Sequence, residues 1–388
     1  MIDTKVLLVG SGLCVALLTG RAVAAPAEIG DQHVFAEVPE PGHPETSITA
    51  KRRLYVGTTT TFDPDDSDFH KRSRIFVYDR VKGRLLNELV VQGEDLDRLH
   101  GVGGTAFDRD RRLYAAGGPG RATGGGAVYR FDVAVERKPL VQTIERETYA
   151  RVPDLPRCEG GRPRARAGES VCSPTPTDLP PFPNDIEFDR AGFLYVTDSW
   201  QATIFRVPPG GGAAEVWFQD PRLAVPIPAP VPPPGPNGIR LSEDGAYLYV
   251  AVTVGSNSEA RGGAIYRLPL ADGQPDGPLE LVHPFGQAGP DGLAFGRSGR
   301  LYVALGLADK VAILEPEGEG FEDPDLYPGK GVENLLVNPS SIEFENRRRS
   351  IYVTNHDVLR REPAPDASAV IEMVVRDLGI ARPRPKIR

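Results

Sequence analysis

A chain of 388 residues with 53 acidic and 45 basic side chains has a net charge of −8, which excludes nucleic-acid binding by bulk electrostatics. Its 43 glycines and 38 prolines fall below the share that marks disordered composition, and the length suits two average domains or one large β-structure.

In chain order, the first element is an export signal. Lys5 precedes the apolar run 6–18, and Ala22-Val23-Ala24 provides small residues for cleavage, so residues 1–24 read as a signal peptide despite Asp3. The run is too short to span a bilayer comfortably. The mature protein is therefore expected to be secreted or periplasmic, with no stable membrane insertion. In an oxidising compartment the two cysteines that remain, Cys158 and Cys172, are expected to form a disulfide. Closing that loop is worth about 3 kcal/mol in the chain-entropy picture.

Residues 25–380 carry a repeated phrase. Pro183-Asn184-Asp185-Ile186-Glu187-Phe188 leads to Leu194-Tyr195-Val196, Pro236-Asn237-Gly238-Ile239 leads to Leu248-Tyr249-Val250, and Pro290-Asp291-Gly292-Leu293 leads to Leu301-Tyr302-Val303. Each copy is an apolar strand, a turn and a second strand centred on Tyr. That Tyr recurs as Tyr55, Tyr114 and Tyr352, at spacings of 50 to 59 residues with a single one of 81. Alternating segments at 74–78, 127–131, 203–207, 264–268 and 310–314 supply outer strands. Short strands on this period predict an all-β fold, a six-bladed β-propeller, rather than two stacked β-sandwiches. Blade six has one clear outer strand, 369–375. The unassigned segment 33–38 is expected to pair there, closing the ring and hiding the sheet edges.

Three segments interrupt or follow the repeat. The insertion 151–182, rich in Pro, Arg and Gly, holds both cysteines and ends at Pro183-Asn184, on the face of the repeat heads. It reads as a lid or specificity wall, or equally as a plain surface loop. The segment 58–73, with Asp63, Asp65, Asp66 and Asp68, resembles a calcium loop only loosely and reads as a solvated acidic turn. The basic tail 381–388 reads as a solvated end.

The innermost strand of every blade lines the channel of a propeller, so residues at the strand entries converge on one mouth. Counted back from each Tyr, the entries are Glu45, Gly103, Asn184, Asn237, Asp291 and Ser340. Pro-Asn-Gly and Pro-Asp-Gly are ordinary turn sequences when met singly. At corresponding positions in three blades, together with Glu45, they point to a shared metal. Oxygen ligands with two negative charges suit Ca²⁺ first and Mg²⁺ or Mn²⁺ next. The lack of His and Cys in the set disfavours Zn²⁺ without excluding it.

The phrases Pro-Asn-Asp-Ile-Glu-Phe-Asp, Pro-Asn-Gly-Ile and Pro-Asp-Gly-Leu-Ala-Phe, each followed by Leu-Tyr-Val, resemble the senescence marker protein/gluconolactonase (regucalcin-like) family. The resemblance implies a six-bladed propeller with a divalent metal at the channel mouth, Glu45, Asn237 and Asp291 as direct ligands, and Asn184 as a ligand or substrate contact. Blade one departs from the family, with Pro44-Glu45-Thr46-Ser47 in place of Glu-Gly-Pro and a following Trp. The stapled insertion is not typical either, so the family's substrate preference is not carried over.

The chain is therefore expected to be a metal-dependent hydrolase of lactones or similar esters, working as a monomer on a small-molecule substrate. Asp291, as the family suggests, is the candidate to take a proton or attack directly, with Asp185 second. Asp185 has the alternative of orienting Asn184. His100, three residues before Gly103, is a further candidate base or substrate donor, set against the reading of a satisfied loop histidine. His43 and His356 also fall near the mouth, and Glu187 and Glu343 at matching strand positions face the channel without a catalytic role. The alternatives are a non-catalytic ligand- or protein-binding propeller with a structural calcium, and a related phosphotriesterase or strictosidine-synthase-like enzyme.

Overall fold

The computed structural model describes residues 27–117, 126–133, 140–159, 171–225, 233–256, 262–318, 320–356 and 367–387. The expected export signal lies outside them. Among the described residues no helix is long and apolar enough to cross a membrane.

The strands form six small antiparallel sheets arranged as the blades of a six-bladed β-propeller. Blade three shows the pattern, with Pro183–Phe188 innermost, then Leu194–Asp198, Thr203–Val207 and Glu215–Gln219 outermost. Its two inner strands are buried at every position, whereas the outermost is exposed or half-buried. Burial on both faces is why the second strand opens on the apolar run Leu194-Tyr195-Val196, whereas the innermost strand carries Asn184, Asp185 and Glu187 toward partners inside the ring. The innermost strands of the other blades are Pro44–Ala50, Thr105–Phe107, Pro236–Leu241, Pro290–Phe295 and Pro339–Glu345. They stand side by side around the channel.

Each junction between neighbouring blades holds its own apolar cluster. The recurring second-strand tyrosines are buried in these clusters. Their hydroxyls stay satisfied, as buried phenols require: Tyr114, Tyr195 and Tyr302 donate to Asp108, Asp189 and Asp377. The repeated Tyr is thus a packing device between blades.

The ring closes as expected. Gln32–Glu37 pairs antiparallel with Ala369–Val374 in blade six, with Val34 opposite Ile371, and Ala36, Val38, Leu54, Phe76 and Tyr352 seal the junction of blades six and one. Two further strands were not foreseen. Val141–Glu145 adds in parallel to the outer strand Leu85–Gln92 of blade one, and Gly212–Ala213 adds in parallel to Glu147–Val152 of blade two. Both cover sheet edges that would otherwise be open.

The disulfide Cys158–Cys172 is present. The base of its insertion is anchored on blade three, with Leu155 N donating to Gln201 Oε1 and Ser173 Oγ to the Gln201 carbonyl. The tail corrects its expectation as a solvated end. It crosses the end of the propeller opposite the strand entries, where Ile387 is buried between blades two and three. Arg112 Nη2 and Arg109 N bind its carbonyls at Ile387 and Pro385. Basic composition misled here, because the arginines have carboxylates to meet inside the channel.

Candidate functional site at the channel mouth

Each head phrase opens an innermost strand with a break in register. Pro183 pairs with Asp198 but Ile186 with Val196, and the same slip separates Pro236 from Ile239 and Pro290 from Leu293. Such bulges re-aim side chains at the rim of a sheet. The following glycines have a packing cause. A Cβ on Gly238 would lie 2.3 Å from the Asp291 carbonyl oxygen, and one on Gly292 2.5 Å from that of Ser340. Adjacent blades approach too closely there for a side chain, so Pro-Asn-Gly and Pro-Asp-Gly are strand sequences in this fold and not turns.

The four expected ligand positions, Glu45, Asn184, Asn237 and Asp291, line one cavity of about 280 Å³, together with Gly103 and His100. Ser340, the sixth head, turns to Glu45: its hydroxyl donates to the Glu45 carbonyl at 2.8 Å.

Hydroxyl relays fix the two amides. Ser199 Oγ donates to the Pro236 carbonyl at 2.6 Å and Thr253 Oγ1 to the Pro290 carbonyl at 2.8 Å. With its proton committed, each hydroxyl can only accept, and it accepts from Asn184 Nδ2 at 2.9 Å and Asn237 Nδ2 at 3.1 Å. The amide nitrogen is therefore the anchored end, and Oδ1 of each Asn is the end left for a ligand.

The carboxylates are under-satisfied. Glu45 Oε2 is buried and accepts no hydrogen bond. It lies 2.9 Å from His356 Nδ1, close enough for charge attraction but not aligned for a bond. The far nitrogen of that ring, Nε2, is 2.8 Å from Thr59 Oγ1. Burial pushes the Asp291 carboxyl well above the usual carboxylate range, and the negative charges of Glu45 and Asp185 push it further, against the Asn237 amide. His43 is held below the ordinary histidine value by burial and by His356, against Asp68, whose Oδ2 is 3.9 Å away.

These residues fit a hard divalent cation. An orphaned buried carboxylate oxygen, a second carboxyl that resists ionisation and two oriented amide oxygens are what a positive ion would relieve. Among the described residues no group of three or more His, Cys, Asp and Glu side chains is placed to hold a metal; the oxygen set at the mouth is two carboxylates and two amides.

The other expected candidates have different surroundings. Asp185 does not line the cavity. Its carboxylate is 2.7 Å from Arg240 Nη1 and accepts from the backbone N–H groups of Ile239 and Ile186. One residue beyond Asn184, it faces the next blade and is fully engaged there. His100 lines the cavity, but both its ring nitrogens meet carbonyl oxygens, of Arg98 at 2.7 Å and Lys71 at 2.9 Å, so neither is free for a substrate. Glu187 pairs with Arg382 at 2.6 Å, and Glu343 accepts from Thr49 N and Oγ1.

The contacts of Thr59, Ser199, Thr253 and His356 were missed by counting only strand entries. All four stand four residues after the recurring Tyr of their blades, behind Tyr55, Tyr195, Tyr249 and Tyr352. A second counted position would have found them.

Residues 162–327 match the family model described as SMP-30/Gluconolactonase/LRE-like region. None of the curated proteins matches the chain. Similar solved structures include a gluconolactonase from Xanthomonas campestris, with a TM-score of 0.51 and 18 % identity over 90 % of this chain and 91 % of that one. A calcium-binding protein, regucalcin, from Agrobacterium tumefaciens gives 0.54 and 18 % over 92 % and 96 %. A PQQ-bound aldose sugar dehydrogenase from Streptomyces coelicolor gives 0.55 and 14 % over 90 % and 98 %. Likeness at these identities establishes the fold and selects no chemistry by itself. On a six-bladed β-propeller, residues 162–327 are thus similar to the SMP-30/gluconolactonase/LRE-like region, the family that the repeated phrases resemble.

Proposed function

We propose that the protein is a secreted or periplasmic metal-dependent hydrolase of lactones or similar esters, acting as a monomer on a small-molecule substrate. The observation that carries this reading is the pairing of a buried Glu45 oxygen that has no donor with an Asp291 carboxyl that resists ionisation beside it. That arrangement is unfavourable without a cation. A disulfide in the described chain accords with an oxidising compartment.

Glu45, Asn237 and Asp291, with Asn184, would hold the ion, Ca²⁺ first and Mg²⁺, Mn²⁺ or Zn²⁺ as alternatives. A divalent cation held there polarises the substrate's acyl carbonyl. Ser199 and Thr253 keep the amide oxygens aimed at the axis, and His356 with the Ser340 contact keeps Glu45 in place. Asp291 takes a proton at its carboxylate during ring opening, or attacks the acyl carbon itself.

The test is metal content of the purified protein, with hydrolysis of a lactone panel before and after chelation, and with Asp291→Asn and Glu45→Gln. Turnover that depends on the metal and fails in both variants supports the reading. Absence of any metal-dependent turnover overturns it. A metal that raises Tm while the mouth variants change no reaction would favour a non-catalytic binding propeller instead.

A further inference from the structure

We infer that the substrate is a lactone or ester bearing an apolar chain or ring rather than a polyhydroxylated one; the reaction rests on the hydrolase reading above, the ligand class on the cavity alone. The mouth is built in two parts. Its floor holds the polar groups, Glu45, Asn184, Asn237, Asp291 and His356. Its walls among the described residues are Phe62, Leu99, Phe182, Pro233, Pro234 and Leu307. These come from loops of five blades, so the apolar lining surrounds the axis rather than covering one side. Leu307 is 50 % exposed, unusual for a leucine so placed that a Cβ on Gly289 would strike it at 2.6 Å. It stands against the Gly289 backbone with half its surface in solvent. Phe182 is braced edge-on by Trp200, ring centres 4.9 Å apart.

Among the described residues, several polar side chains of the walls already have their donors committed. Thr60 Oγ1 donates to the His100 carbonyl, Thr253 Oγ1 to that of Pro290, and Asn338 Nδ2 to that of Gly306. Thr59 Oγ1 faces His356, and His100 has carbonyls on both nitrogens. Among the described residues, a polyol entering this mouth would meet acyl recognition at the floor, mostly apolar walls and few uncommitted donors for its hydroxyls. Each hydroxyl desolvated without a partner weakens binding by at least about fivefold. Each methylene seated against the walls strengthens it by about fourfold. Ring opening adds water across the acyl C–O bond, its oxygen to the carbonyl carbon and a proton to the departing ring oxygen. The chain on the ring takes no part in that step and contributes through binding only.

Three δ-lactones with the same ring and acyl bond test this: unsubstituted δ-valerolactone, δ-nonalactone with its butyl chain, and glucono-δ-lactone, each corrected for spontaneous opening. For the Ca²⁺-loaded protein, kcat/KM is expected at least about tenfold higher for δ-nonalactone than for δ-valerolactone, with glucono-δ-lactone poorest. Leu307→Asp and Phe62→Ser should each shrink the ratio of δ-nonalactone to δ-valerolactone by about tenfold. A higher kcat/KM for glucono-δ-lactone than for δ-nonalactone would overturn the inference. Ligand binding followed by thermal shift separates the two readings. If no lactone is hydrolysed yet δ-nonalactone raises Tm and glucono-δ-lactone does not, the hydrolase reading falls and the ligand class stands. If neither binds, the ligand class falls as well.

Discussion

The two ends of the channel are built from the same strands and hold acids within a few residues of one another, yet they treat charge in opposite ways. Toward the tail the channel carboxylates are paired: Glu187 meets Arg382 of the tail and Glu343 takes two donors from Thr49, while Asp185, one residue in from the mouth, meets Arg240. At the mouth, Glu45 Oε2 has no donor and Asp291 is pushed away from ionisation by burial and like charge. Arginine could have served at both ends. Among the described residues it meets the channel acids only away from the mouth; at the mouth the basic group beside Glu45 is instead His356, with Nδ1 at 2.9 Å.

Breaking the paired acids should give the largest effect. Arg240→Leu leaves the Asp185 charge buried without its arginine, and is expected to destabilise the protein by about 3–5 kcal/mol, read from urea unfolding. The mouth should behave in the opposite sense. Asp291→Asn is expected to raise Tm of the metal-free protein, because it removes a carboxyl crowded by the negative charges of Glu45 and Asp185. A loss of stability comparable to that of Arg240→Leu would show that the mouth acids are structural.

Next in size is activity. Glu45→Gln and Asp291→Asn are each expected to lower metal-dependent lactone turnover at least about 100-fold, with loss of bound metal measured in the same samples.

The contrast also sets a pH dependence. The folded-state pKa of Asp291 is raised above the ordinary carboxylate value, so between those values the folded protein holds a proton that the unfolded chain releases. Its stabilising effect is full below the unfolded value and is lost as pH rises. In chelator, Tm is therefore expected to fall as pH climbs above the ordinary carboxylate range. Saturating Ca²⁺ or Asp291→Asn should flatten the curve. A metal-free profile with no such slope would contradict the assignment.

The smallest expected effect belongs to the relays. Ser199→Ala or Thr253→Ala frees one amide to rotate, and is expected to weaken metal binding about tenfold while leaving urea stability nearly unchanged.

Most of the ring was legible because one phrase, repeated on a fixed period, carries strand, turn and Tyr together. The convergence of Glu45, Asn184, Asn237 and Asp291 was legible for the same reason, since equivalent positions in a propeller meet at its axis. What could not be read depends on which residues of different blades touch. Asp185 looked as free as Asn184 until Arg240 of the next blade claimed it. The glycines after the heads read as turn residues because the neighbouring backbone that excludes a Cβ is some fifty residues away. His356 stands in the chain far from Glu45 and beside it in the fold.

The closing strand gives the mouth a second significance. Gln32 and Met373, paired across blade six, are 341 residues apart in the chain, and Glu45 lies just beyond that seam while Asn237 and Asp291 lie well before it. An ion bridging them would work as a fastener across the junction that joins the two ends of the chain. At 100 times its dissociation constant it would add about 2.7 kcal/mol to the assembled ring and nothing to the open one. Ion uptake would then report that the chain has finished folding, before any substrate arrives.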